Sequence, residues 1–197
     1  DWNRTEELSD KTILMRALDD SSALATLVRR YRSSLCNFVY RFVGDRETSE
    51  DIVQVTFLRC LRHRNQFPAI EQVSTWLYTI AGNLAKTELR RRKRWHMVSI
   101  GPSSDEEERV SFYEPIGREA LPGEATDTKS VQLSVESAVH KLPEEFREAV
   151  LLRDLKGLAY EEIAKIQKVP VGTIMSRVFH ARKAAQKYCS HLEDFKV

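Results

Sequence analysis

Apolar side chains recur at helical spacing through residues 10–95 and again through 129–191, and the pattern lapses between them. This predicts an all-α chain of two helical domains joined by a tether. In the first block, Asp20, Ser21 and Ser22 can cap a helix through ALATLVRRYRSSLCNFVYRFV, which Gly44 ends. The next helix lies in DRETSEDIVQVTFLRCLRHRNQF. Thr48 or Ser49 can cap it, and Ile52, Val53, Phe57 and Leu61 give it an apolar face. Pro68 breaks the pattern, and Ser74 or Thr75 opens a helix through WLYTIAGNLAKTELRRRKRW.

In the second block Pro143 suits a first helical turn, and Glu144 and Glu145 suit its positive end. PEEFREAVLLRDL ends near Gly157, YEEIAKIQ makes a short helix, and Lys168 to Pro170 turn into a third helix near Val171. Helix, short helix, tight turn, helix is the helix-turn-helix plan. On the last helix, at ~100° per residue, Ile174, Val178, Ala181, Ala185 and Tyr188 share a narrow apolar stripe. Thr173, Ser176, Arg177, His180, Lys183 and Lys187 share a polar stripe facing away from it. Such a helix can read base edges in a major groove, with Gly172 and Thr173 letting its N-terminus approach a phosphate. A solvated amphipathic helix would look the same. Met175 and Phe179 sit on the flank between the stripes, one turn apart.

Charge changes the picture more than composition does. The 197 residues are 42% hydrophobic and 30% charged, enough for packed cores, and the net charge is only +2. That balance hides segregation. Residues 96–128 hold eight acids against Arg109 and Arg118, with Pro102, Pro115 and Pro122, and read as an acidic flexible linker. Lys86 to Trp95, by contrast, reads KTELRRRKRW. Basic side chains there cover nearly every side of a helix end, which favours phosphates and salt-sensitive binding. A cationic helix C-terminus is the alternative reading. Phe67, Trp76 and Tyr78 precede the run and can either stack exposed bases or pack the core.

Several chemistries find no support. Cys36, Cys60 and Cys189 are odd in number and far apart, which argues against a disulfide framework or a zinc site. No phosphate loop, HExxH, nucleophile elbow or paired-acid constellation occurs. The carboxylates of SEDIVQ and PEEFRE fall on charged amphipathic helices, where surface roles dominate, and His63, His96, His140, His180 and His191 are scattered. No cofactor is implied, and a non-enzymatic protein is expected. No apolar run reaches the ~18 residues of a membrane span, and no signal peptide is visible.

The segments LVRRYRSSLCNFVYRFVGDRETSEDIVQVTFLRCLRH and STWLYTIAGNLAKTELRRRKR resemble region 2 of bacterial sigma factors of the extracytoplasmic-function (ECF) group. LPEEFREAVLLRDLKGLAYEEIAKIQKVPVGTIMSRVFHARKA is similar to their region 4. The order matches, with a linker and no region 3 domain. The resemblance implies a polymerase initiation subunit whose region 2 spans 10–95, whose linker spans 96–128 and whose region 4 spans 129–191. By the same resemblance, Asp51, Gln54 and Phe57 dock on the clamp helices of core RNA polymerase. Trp76, Tyr78, Asn83, Lys86, Arg90 and Arg91 serve the −10 promoter element and its melting, with a base held by the loop from Pro68 to Ser74. Gly172, Thr173, Ser176, Arg177, His180 and Lys183 serve the −35 element, with region 4 on the polymerase flap. The acidic linker would thread toward the RNA exit path. The resemblance also implies promoter DNA and an anti-sigma factor as partners, and a cytoplasmic protein that a membrane-anchored anti-sigma factor can hold at the membrane.

The sequence departs from the family pattern at five positions. Val55 replaces a usual Glu, Gly82 a usual Arg, Gln167 and Lys168 a common Leu-Gly, and Met175 a usual Lys. Gln167, if buried, needs a hydrogen-bond partner. Two other functions fit parts of the chain. A stand-alone helix-turn-helix regulator needs no aromatic cluster running into arginines. A nuclease or recombinase needs a catalytic cluster, which is not found.

Overall fold

The computed structural model describes residues 8–100 and 135–189. Among these residues every regular element is helical. None of the described helices is long and apolar enough to cross a membrane. Helix α1 (Asp10–Arg16) starts at the cap Ser9 and lies before the first helix that the pattern predicts. A short 3-10 turn, Ser21–Ala23, leads into α2 (Leu24–Val43). Asp20 accepts from the Ser22 amide at 2.9 Å, so the expected cap holds this turn rather than the α-helix itself. Gly44 ends α2 with φ 79°, in the left-handed region where glycine is at ease.

Helix α3 (Arg46–Arg62) is capped by Asp45, not by Thr48 or Ser49. The Asp45 carboxylate accepts from the Thr48 amide at 2.8 Å, and hydrogen bonding from the Thr48 side chain, and then from its amide, holds its pKa below the usual carboxylate range. The buried face of α3 is Ile52, Val53, Thr56, Phe57 and Cys60. Leu61, expected on that face, is exposed instead, because the helix turns its inward stripe away from position 61. A 3-10 turn containing Pro68 (Arg64–Ala69) follows, and α4 (Val73–Ile100) starts one residue before the expected caps. It also runs five residues past the expected domain end at residue 95. Most of the acidic linker lies outside the described residues.

The second block holds α5 (helical at residues 135–140), α6 (Glu144–Val150), α7 (Tyr160–Gln167) and α8 (Val171–Cys189). Pro143 stands one position before α6, and a wide π turn, Leu151–Leu155, extends that helix. Lys168 closes α7 with φ 56°, a left-handed conformation carried by a non-glycine residue.

The two helical blocks are not held apart. One apolar core runs from Leu27, Phe38, Phe42 and Leu77 of the first into Leu152, Ile163, Ile174 and Val178 of the second. A smaller cluster of Leu142, Val150 and Ala181 joins α6 to α8. Burial of this apolar surface is the main force closing the blocks on each other.

Candidate nucleic-acid and polymerase interface

On α3, Asp51 and Gln54 are exposed and Phe57 is not. Phe57 retains only 8% of its accessible surface and belongs to the core. The exposed companions of Asp51 and Gln54 are Val55, Leu58 and Leu61. Positions 51, 54, 58 and 61 recur at helical spacing and make one continuous stripe. Leu58 and Leu61 are the residues that sequence reasoning missed. The signal was present, since a second apolar stripe runs beside the buried one.

The aromatic residues before the basic run are structural. Tyr78 is buried, meets the Phe38 ring edge-on at 5.3 Å, and pairs its hydroxyl with Ser34 Oγ at 2.7 Å. Burial pushes its pKa up. Phe67 is fully buried and meets Trp76 edge-on at 5.8 Å, with Trp76 only partly buried. Of the expected stacking pair, Tyr78 has no free face to offer a base. Trp95, at the end of the arginine run, is 67% exposed and does. Lys11 of α1 fixes the turn before α4. Its ammonium donates to the carbonyls of Phe67 at 3.0 Å, Pro68 at 2.7 Å and Ile70 at 2.5 Å. The loop expected to hold a base is therefore anchored at its start by a residue nearly sixty positions upstream.

Asn83, Arg90 and Arg91 are exposed on α4. Acids answer much of the basic run. Arg91 and Arg92 both bond Glu88 at 2.8 Å, which lowers the pKa of that carboxyl, and Arg90 approaches Glu144 at 3.8 Å. Lys86 is turned toward the second block, where its ammonium meets Glu148 Oε2 at 3.0 Å.

On α8, Gly172, Ser176, His180 and Lys183 are exposed, and Thr173 and Arg177 are half-buried. Ile174, Val178 and Ala181 are buried, as the stripe predicts, and Ala185 is half-buried. The helix thus packs by one side and offers a polar side outward. Met175 and Phe179 are exposed, and Phe179 meets the His180 ring edge-on at 5.3 Å. Arg177 donates to Gln167 Oε1 at 2.5 Å.

The carboxylate and guanidinium of α6 overturn one expectation. PEEFRE is not a surface segment throughout, because Arg147 and Glu148 are both buried. Arg147 donates to the carbonyls of Phe42 at 2.7 Å, Leu142 at 3.0 Å, Val139 at 3.2 Å and also His140. Burial lowers its pKa to about 10. Glu148 accepts from Lys86 and from Gln167 Nε2 at 2.9 Å. Burial pushes its pKa up, against the opposing pull of Lys86 and Gln167. Gln167 also donates to the Glu145 carbonyl at 2.9 Å, so the amide at a usually apolar position is satisfied.

Comparison with known proteins agrees with this architecture. The sigma-70 region 2 family model matches residues 27–95, and the sigma-70 region 4 family model matches residues 132–184. These two modules in this order define a sigma-70 type of protein. The chain is 34% identical over 188 residues to the RNA polymerase sigma-H factor of Pseudomonas aeruginosa, covering 93% of this chain and 94% of that one. It is 35% identical over 185 residues to the ECF RNA polymerase sigma-E factor of Escherichia coli, covering 91% and 94%. The chain belongs to the ECF sigma factor family. Its fold is similar to that of the Bartonella quintana sigma factor RpoE crystallised with the anti-sigma factor NepR. The TM-score is 0.63 at 24% identity, over 84% of this chain and 95% of that one.

Proposed function

We propose that the chain is an ECF-type sigma subunit, which directs core RNA polymerase to particular promoters and helps open them. The observation that carries this reading is the pairing, in one chain, of the α3–α4 unit with the α7–α8 unit. The first joins an exposed Asp51–Gln54–Leu58–Leu61 stripe to a basic helix end. The second is a helix-turn-helix with Thr173, Ser176, Arg177, His180 and Lys183 on its outer side. A stand-alone duplex-binding regulator has no use for the first.

Region 2 (10–95) contacts the polymerase clamp through Asp51 and Gln54. Phe57 supports that surface from below, because its ring is buried. Asn83, Lys86, Arg90 and Arg91 contact the −10 element, with Trp76 at the edge of the melted strand. Region 4 (129–191) places Gly172, Thr173, Ser176, Arg177, His180 and Lys183 at the −35 element and docks on the flap. The linker (96–128) joins them. The protein works in the bacterial cytoplasm as a non-catalytic subunit under an anti-sigma factor.

The test is reconstitution. The pure chain is mixed with core RNA polymerase and transcripts are mapped across a genomic library. The expected result is initiation at a defined set of promoters, absent with core alone. Failure to bind core polymerase would overturn the reading.

A further inference from the structure

Two adjacent residues of α1 hold both ends of the loop that leads into α4. Lys11 holds its start. The carbonyls of Phe67, Pro68 and Ile70 converge on the Lys11 ammonium at 3.0, 2.7 and 2.5 Å. An ammonium has three donors and no acceptor, so it can give one donor to each of them. Carbonyls at the end of a helical turn need such partners. Asp10 holds the far end of the loop. One of its oxygens takes Arg30 at 2.6 Å, and the other takes the Tyr31 hydroxyl. The Tyr31 oxygen is hydrogen-bonded in turn to the side chain of Ser74, the second residue of α4. The Tyr31 ring is itself packed against the core, which fixes its hydroxyl in place.

Between these anchors Ala69, Glu71 and Gln72 stay exposed. The loop is therefore fixed at its ends and open in its middle. A loop held in this way can meet a ligand without first losing much conformational freedom, which favours binding. Lys11 and Asp10 lie 56 or more positions ahead of the residues they hold in the loop. Both clamps are thus tertiary, and neither follows from the local sequence of the loop.

We propose that α1 is a positioning element for this loop, and that Lys11 and the Asp10–Tyr31 pair set the shape in which the loop holds one unpaired base of the −10 element. The inference rests on the sigma reading for the identity of the ligand, but on the hydrogen bonds alone for the clamp. Neither side chain of α1 needs to touch DNA, since Lys11 acts through the loop backbone and Asp10 through Tyr31 and Ser74. A loop released at one end samples more conformations and holds its base less selectively.

Lys11→Met and Tyr31→Phe test the clamp in the full chain. The first keeps an unbranched side chain and removes the three donors. The second removes one hydroxyl and keeps the ring, and it carries the test if thermal denaturation shows that Lys11→Met does not fold. Hydrogen exchange of the free chain reads the clamp itself. The amides of residues 69–74 should exchange roughly tenfold faster in either variant, with those of α8 unchanged. Each chain is then joined to core RNA polymerase and given the promoter found by reconstitution, together with its single-base variants. At one −10 position the preference for the best base should fall roughly fivefold or more, with core binding and every −35 preference unchanged. A merely structural role would lower the yield from all these promoters alike. Unchanged exchange in the loop overturns the proposal. Faster exchange with every −10 preference intact overturns it as well, because the clamp would then position nothing. A parent chain that directs no transcription removes the sigma reading, while the exchange data still decide whether the clamp stands.

Discussion

Arg147 donates to the carbonyl of Phe42 at 2.7 Å across 105 positions of sequence. Phe42 lies in the last turn of α2, where carbonyls lack helical partners. The same guanidinium serves Val139, His140 and Leu142 at the end of α5. One side chain therefore completes two helix ends and joins the two blocks. Its fork of five donors suits this role, and a lysine ammonium, a compact donor, does not. Arg147→Met should leave buried carbonyls unpaired and lower stability by about 3 kcal/mol. Arg147→Lys should recover less than half of that. Urea denaturation of the three proteins measures both, and a fully recovered Lys variant would contradict the argument.

His140 sits beside that guanidinium and against Gly44. Burial first, and then Arg147, lower its pKa to about 4 from an ordinary 6.5. Between these values the unfolded chain binds a proton that the folded chain excludes. Stability therefore rises with pH across this window. The contribution of the neutral ring is complete above pH 6.5 and is lost as pH falls toward 4. Its size is about 3 kcal/mol. The free-energy difference between His140→Gln and the parent chain, measured by denaturation at several pH values, should shift across that window. A parallel pair of curves would show that His140 does not titrate as described.

The contrast between α8 and α6 shows what sequence reading reaches and where it stops. The stripe of Ile174, Val178 and Ala181 is local, because helical geometry alone brings these residues to one side. Gly44 was legible for the same reason, since a chain reversal after an apolar helix needs a left-handed residue. The family resemblance added the order of the two modules. Arg147 and Glu148 were not legible. Their burial depends on Phe42, Gly82 and Lys86, which lie 62 or more positions away. By composition alone a charged helix belongs at the surface. Phe57 is a different case. A motif names the residue, but burial decides whether its ring faces a partner or the core.

The α3 surface makes that distinction testable. Leu58 is 48% exposed, beside Asp51 and Gln54, whereas Phe57 fills the core. Leu58→Glu should change folding stability by less than about 0.5 kcal/mol. If this stripe docks on polymerase, the same change should weaken core binding by roughly tenfold or more, through a charge placed in an apolar contact. Phe57→Ala should instead destabilise the chain by about 3 kcal/mol or more. Core-binding titrations beside thermal denaturation separate the two. Normal core binding by a folded Leu58→Glu chain would move the docking surface elsewhere.

Lys168 presents the opposite case, a position where the sequence holds a residue the backbone does not favour. It occupies the left-handed region at φ 56° between α7 and α8. For a residue with a Cβ this conformation costs about 1–2 kcal/mol. Glycine removes that strain, and its freer unfolded chain offsets about 0.4–1 kcal/mol of the gain. Lys168→Gly should therefore stabilise the protein by roughly 0.5–1 kcal/mol. The side chain is exposed, so no packing is lost with it. Equilibrium denaturation gives the sign directly, and a destabilised glycine variant would mean that the Lys168 side chain stabilises the turn by more than the strain it carries.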